Sequence, residues 1–314
     1  MRIQTQSQKL MKWSALGLLS FLLAIATPPA LAILQSPVSS PVPSPSPTSA
    51  TVVNPLSEGR SLYQAGRFAD AAAAWQEAAA AYEKSGDRAN QALSLSYLSL
   101  AYQELSQWDE ATQAIEQSRT LLTALTQVDA IVWAQTLNTH AKLLLATGQT
   151  QAALDTWKEA QTFYDRAGDK MGAVGSQINQ AQALQILGFY RKSRTLLEEI
   201  EAQLASEPDS ELKAIALHSL GSTLNSIGEL AVSQEALESS WAISQRLNDT
   251  AGKSSIALSL GNTALDLGDT EAALDYFRQA QQAAATPQDR RDAQLNQLRL
   301  YVQSQRLAEA ADLT

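Results

Sequence analysis

Chemistry in a protein needs groups that titrate, ligate or attack, and this sequence offers few of them. No cysteine occurs in 314 residues, which removes disulfides, thiolate metal sites and cysteine nucleophiles from the chain. The two histidines, His140 and His218, show no zinc-site spacing to a second ligand. His140 also falls where the chain elsewhere carries Leu98, Leu220 and Leu260, which marks it as a core or boundary position. Glu198, Glu199 and Glu201 bunch together but lack the loop glycines and alternating oxygens of a calcium site, and read as a solvated face. No phosphate loop, nucleophile motif or paired catalytic constellation is present. No catalytic residue, metal or cofactor is expected.

What recurs instead is amide and hydroxyl. Asn138 and Lys142, Asn179 and Gln182, His218, Ser222 and Asn225, Asn262 and Asp266, then Arg299 return about once per forty residues. Asn and Gln both donate and accept, so such a row suits the backbone of an extended peptide. The competing reading is that these are solvated helix positions with no ligand.

The elements that would position the row are helix pairs. In residues 254–280, Ile256, Ala257, Leu260, Ala264, Leu265 and Leu267 recur at three- and four-residue intervals, which stacks them on one helical face. Gly268 tolerates the left-handed conformation that ends a helix abruptly, and Asp269 or Thr270 can cap the next one. Ala273, Leu274, Phe277 and Ala280 form the second apolar face. Gly261 and Ala273 are small where two antiparallel helices must approach closely. A hairpin of this size cannot bury both faces alone, so it needs copies of itself on either side.

The copies align on Gly66, Ser106, Gly148, Gly188, Gly228 and Gly268, at steps of 40, 42, 40, 40 and 40. Five residues after each comes a small residue: Ala71, Ala111, Ala153, Ser193, Ser233 or Ala273. Nine after each comes a bulky apolar one: Trp75, Ile115, Trp157, Leu197, Leu237 or Phe277, which places both tryptophans in packing roles. Asp87, Asp129, Asp169, Asp209, Asp249 and Asp289 fall once per repeat in the predicted inter-repeat turns, so the two-residue excess lies between Ser106 and Asp129. A period of this length built from helix pairs means a solenoid.

The turn, small residue and bulky residue, seen together in LGNTALDLGDTEAALDYF, resemble the tetratricopeptide (TPR) pattern over roughly residues 56–314. The resemblance implies an all-α superhelix of six helix pairs and a partial seventh, whose first helices line the concave side and hold a peptide or protein partner there. The period exceeds the family's usual 34 residues, which implies nearly one extra turn on each helix. RLNDTAGKSSIALSLGNTALDLG is similar to the forty-residue repeats of the spindle-orientation adaptor family. The paired basic residues of peptide-carboxylate-clamp members are not evident.

Outside the array the composition shifts. Residues 1–32 carry Arg2, Lys9 and Lys12 and no acid, an apolar run from Trp13 to Ala26, and Ala30-Leu31-Ala32 as a small-x-small cleavage site. That run is short of the ~20 residues a spanning helix needs, so a secretory signal is expected and membrane contact is limited to this segment if uncleaved. Residues 33–55 form a Pro/Ser-rich linker; QSPVSSPVPSPSPTS reads as an extended tether. Eight of the ten prolines lie before residue 56, and Pro208 and Pro287 fall in predicted inter-repeat turns. The formal net charge is −9, and without the leader 20 basic residues face 32 acidic ones. A surface that acidic repels phosphate backbones, so nucleic acid is not an expected partner.

The expected function is therefore a non-catalytic interaction scaffold, exported to the periplasm or beyond in a bacterium. The combination of leader, Pro/Ser tether and forty-residue repeats with GDR/GDK turns also resembles the amino-terminal part of bacterial, cyanobacterial-type CHAT proteins. That resemblance implies the alternative: a regulatory region whose caspase-like peptidase domain follows Thr314, since its His/Cys pair cannot lie in a cysteine-free chain. The seventh unit, aligned on Gln305, stops partway through its second helix, from which a continuation is expected. The cleavage site makes one prediction: amino-terminal sequencing of protein from the cell envelope should begin at Ile33. An intact Met1 in a membrane pellet would refute it.

Overall fold

The computed structural model describes residues 55–312; the signal segment and nearly all of the linker lie outside the described residues. Seven helix pairs follow one another. They are α1 (Pro55–Gln64) and α2 (Phe68–Ser85), α3 (Arg88–Glu104) and α4 (Trp108–Thr123), α5 (Ala130–Ala146) and α6 (Thr150–Ala167), and α7 (Lys170–Ile186) and α8 (Tyr190–Leu204). Then come α9 (Glu211–Ser226) and α10 (Leu230–Arg246), α11 (Thr250–Asp266) and α12 (Thr270–Ala283), and α13 (Pro287–Gln303) and α14 (Leu307–Asp312). No strand occurs among the described residues, and no helix there is long and apolar enough to cross a membrane.

Each hairpin turns on one left-handed residue. Gly268 has φ 86°, its N–H reaches the Leu265 carbonyl at 2.9 Å, and the Asp269 N–H reaches back to Ala264 at 2.8 Å. This is the double bond of a Schellman ending, and it satisfies carbonyls that the helix end leaves free. Ser106 (φ 57°) and Gln305 (φ 58°) perform the same turn without glycine. Asp269, not Thr270, then caps α12 by accepting the Ala272 N–H at 3.0 Å.

The aspartates between repeats mostly cap the incoming first helix: Asp87 accepts from Asn90, Asp129 from Ile131, Asp169 from Gly172 and Asp249 from Gly252. Two differ. Ser210 caps α9 while Asp209 pairs with Arg246, and Asp289 completes a capping box with Thr286. Pro287 is the first residue of α13 rather than part of the turn, where its missing N–H leaves no bond unmade.

Close approach within a pair rests on a small residue seven before the turn and a bulky one nine after it. A β-carbon on Gly59 would lie 2.3 Å from the Trp75 ring, one on Gly221 2.5 Å from Leu237, and one on Gly261 2.4 Å from Phe277. The residues five after the turn, from Ala71 to Ala273, are fully buried. Hydroxyls substitute for methyls there without loss: Ser233 donates to the Gly221 carbonyl at 2.8 Å, and Ser99 on the facing helix donates to Ala111 at 2.7 Å. Leu267, expected on the apolar face, is exposed, because it is the last residue before the turn and points past the partner helix.

The pairs stack so that each second helix lies between its own first helix and the next one. First helices also meet directly, α3 with α5, α7 with α9, α9 with α11 and α11 with α13, whereas consecutive second helices make no comparable contact. The stack is tighter on the first-helix side, which makes that side concave. The two-residue excess falls in the 124–129 connection, where it opens a cleft of about 860 Å³ edged by stacked Trp133 and Phe163.

Gly261→Ala should lower unfolding free energy by about 1–3 kcal/mol, the usual cost of overpacking, because Phe277 is fully enclosed and cannot withdraw. Denaturant titration measures it. Unchanged stability would show that the hairpin interface is loose.

Candidate functional site

The candidate site is the inner face formed by α1, α3, α5, α7, α9, α11 and α13. Positions ten, six and three before each turn lie four and three residues apart, so they share one helical stripe. The structure divides that stripe into a ladder and a second row.

The ladder joins successive first helices. Asn179 donates to Asn138 Oδ1 at 3.3 Å, and the same oxygen accepts the Trp157 indole N–H at 3.0 Å. His218 Nε2 lies 2.8 Å from the Ser259 hydroxyl. Asn225 donates to Asp266 at 2.9 Å and to Thr263 at 3.2 Å. Tyr63 donates to Glu104 at 2.9 Å. In four of these bonds the partners are 41 residues apart, one repeat plus one residue.

Asn138 and Asn179, expected to line the groove, are therefore not at its surface. They are 4% and 2% exposed, and their amides are occupied in holding the third pair to the fourth. His218 and Asn225 are half-buried members of the ladder, and Asp266 is exposed but engaged by Asn225.

The row six before each turn is different. It contains Arg60, Leu100, Lys142, Gln182, Ser222, Asn262 and Arg299. Gln182 and Ser222 are half-buried, Asn262 is exposed, and their side chains make no hydrogen bond among the described residues. Arg299 is exposed and donates to Asn296 at 3.0 Å.

Several inner-face groups escaped the sequence reading. Arg60 donates to the Tyr97 hydroxyl at 2.9 Å, and that hydroxyl donates to Gln135 at 3.0 Å, which links three pairs. Glu104 lies under Lys142. Burial raises the Glu104 pKa, against the Tyr63 hydrogen bond and the Lys142 charge, which lower it. Burial likewise pushes Lys142 down to about 8, with Glu104 opposing the shift. The signal for these contacts was the one-repeat separation of partners. It becomes usable once the rotation between repeats is known.

The histidines are structural. Burial lowers both to about 4. At His140 the Arg119 charge adds to the drop and Glu116 opposes it, while Nδ1 is buried without a partner. Gln180 and Gln297 occupy the equivalent position and reach the preceding second helix, at Gln161 (2.9 Å) and Gln281 (2.8 Å). His140 lacks that bond. Among the described residues no three His, Cys, Asp or Glu side chains group to hold a metal.

His140→Leu should thus raise stability at neutral pH by about 1 kcal/mol, because an unpartnered buried polar atom is replaced by the residue type its repeat-mates use. The pH dependence follows from the sign of the shift. The unfolded imidazole binds its proton near 6.5 and the folded one near 4, so stability is full above 6.5 and is lost as pH falls towards 4. The substitution should flatten that loss in thermal melts between pH 7 and 4. A melt as steep as wild type would assign the acid sensitivity elsewhere.

No protein-family model and no curated protein sequence matches the chain. Similarity appears among solved structures. The crystal structure of BtubC (BKLC) from P. vanneervenii is similar with a TM-score of 0.56 at 18% identity, over 75% of this chain and 91% of that one. The Rap protein complexed with competence and sporulation factor gives 0.63 at 13%, over 82% and 73%. NprR in complex with its cognate peptide NprX gives 0.60 at 13%, over 85% and 77%. At these identities the likeness concerns the fold, which is a TPR-like α-solenoid.

Proposed function

We propose that the protein is a non-catalytic interaction scaffold that holds an extended peptide or protein segment along its inner face. The observation that carries this reading is the run of Gln182, Ser222 and Asn262. Three successive repeats present an unpaired polar side chain at one position, between ladder residues that are already paired. Neutral amides and a hydroxyl match the donors and acceptors of a peptide backbone. Two structures of similar fold, Rap and NprR, were solved with competence and sporulation factor and with a cognate peptide. The acidic body makes nucleic acid a poor partner. The leader-like first 32 residues support work in the periplasm or outside the cell.

Site-specific photo-crosslinking in cells tests the surface. A crosslinker at position 262, on the inner face, should give adducts that one at position 159, on an outer helix, does not. Gln182→Ala with Asn262→Ala should then weaken binding of the captured segment, at about 0.5–1.5 kcal/mol for each hydrogen bond lost, with helicity unchanged. Equal adducts at both positions would move the binding surface off the groove.

A second reading makes the array the regulatory region of a longer CHAT-type peptidase. Its support is the sequence arrangement of leader, tether and forty-residue repeats. Reading the coding sequence past Thr314 for a His/Cys-bearing segment decides it.

A further inference from the structure

The joint between α4 and α5 carries a second surface, away from the inner face. Gly86-Asp87 and Gly168-Asp169 are enough to join a second helix to the next first helix, but six residues, 124–129, join α4 to α5. The cleft of about 860 Å³ at this joint is lined by Leu122, Leu125 and Val128 and by the rings of Trp133 and Phe163. Those rings stack at 5.8 Å with 20° between their planes, and both remain half-buried after the pairs have packed.

The indoles elsewhere in the array show what is unusual here. Trp75 donates to the Leu56 carbonyl at 3.3 Å and Trp157 to Asn138 at 3.0 Å. The indole N–H of Trp133 makes no hydrogen bond among the described residues. An aromatic pair with an unused donor suits an occupant that brings apolar rings and bare carbonyls. Only one lining residue is charged: Asp129, whose carboxylate accepts the Ile131 N–H at 3.3 Å. An anionic occupant is opposed there and an uncharged one is not. A proline-rich segment meets all of these terms, because polyproline has no internal hydrogen bonds, leaves its carbonyls free and docks on aromatic-lined grooves.

The chain carries such a segment. Residues 33–54 contain no charged side chain, and Pro41, Pro43, Pro45 and Pro47 alternate within them. Antiparallel pairing puts the start of every first helix and the end of every second helix on one edge of the stack. Pro55 starts α1, Trp133 lies four residues into α5 and Phe163 near the end of α6, so the chain enters on the edge that holds the cleft. From α1 to α5 is two steps between packed helices, about 16–20 Å. The eight residues from Pro47 to Pro55 reach about 25 Å as polyproline. The tether is therefore long enough, and attachment at this length gives it a millimolar effective concentration at the cleft.

We propose that the cleft between α4, α5 and α6 binds an uncharged proline-rich segment, and that its occupant is the chain's own residues 41–47. Their prolines pack on Trp133 and Phe163, and one of their carbonyls accepts the Trp133 indole N–H. Any other proline-rich segment must displace the tether to dock.

A fluorescent synthetic peptide of residues 35–49 tests this. It is titrated against the full chain and against a chain carrying Pro41→Gly, Pro43→Gly, Pro45→Gly and Pro47→Gly together. The glycine chain should bind it about tenfold more tightly, the factor by which an attached competitor at about ten times its own Kd weakens a free one. In the glycine background Trp133→Ala should weaken binding at least about tenfold. Trp133→Phe, which keeps a ring in the joint and removes the N–H, should weaken it about two- to tenfold. Circular dichroism checks that both variants fold, and added salt should not weaken binding of an uncharged peptide. No binding to the glycine chain, or binding indifferent to both Trp133 substitutions, would overturn the site. Equal binding to the wild-type and glycine chains would overturn the tether as occupant. A wild-type deficit that vanishes as the chain is diluted would assign the occupant to a second copy and overturn docking within one chain.

Discussion

Everything in this molecule depends on how closely two antiparallel helices can approach within one pair. That distance is set, in the first six pairs, by a glycine, an alanine or Ser99 seven positions before the turn, facing a bulky residue nine after it. Gly261 against Phe277 and Gly59 against Trp75 leave no room for a β-carbon. The bulky residue is in turn enclosed by the neighbouring pair, so its burial belongs to the stack as much as to the hairpin. A left-handed turn residue fixes the register in which small meets large. Without that register the second helix would not present its other face to the next pair, and there would be no inner surface.

Once the pairs stack, the polar residues of one stripe on the inner face fall into two sets. Polar groups between closely packed first helices need partners, because an unpaired buried group costs about 1–3 kcal/mol. The ladder supplies them at Asn138 and Asn179, His218 and Ser259, and Asn225 and Asp266. At the joint between the second and third pairs the equivalent residues are Ser96 and Thr139, whose shorter side chains leave both hydroxyls buried and unpartnered. In the row six before each turn, between the ladder positions, Gln182 and Ser222 stay half-buried and Asn262 and Arg299 exposed. Paired and unpaired polar residues are thus interleaved on the same helices at intervals of three and four.

This interleaving explains what the sequence could and could not reveal. The solenoid was legible, because period, turn glycine, small residue and bulky residue each recur and constrain one another. The once-per-repeat aspartates were legible as turn residues but not as caps, and Ser210 and Thr286 take the cap where Asp209 and Asp289 do not. The inner face was legible, but not the surroundings of each residue on it. Asn179 and Asn262 look alike in sequence, yet one is buried on Asn138 and the other is exposed. Asn179 stands nine before its turn and Asn262 six before its own, and which of these positions meets the preceding first helix is set by the rotation between repeats, which no local pattern encodes. Tyr63, Tyr97 and Glu104 were missed for the same reason.

The ladder has a mechanical consequence. Straightening a curved stack stretches its inner edge, and that edge is where the hydrogen bonds between first helices lie, so extension loads them directly. Tightening the curve instead brings the inner edges together, with no comparable contacts between consecutive second helices to resist on the outer side. The array is accordingly stiff against opening, while curling is limited by first helices that already pack together. Tension applied to the ends of the coil is therefore borne at its concave wall.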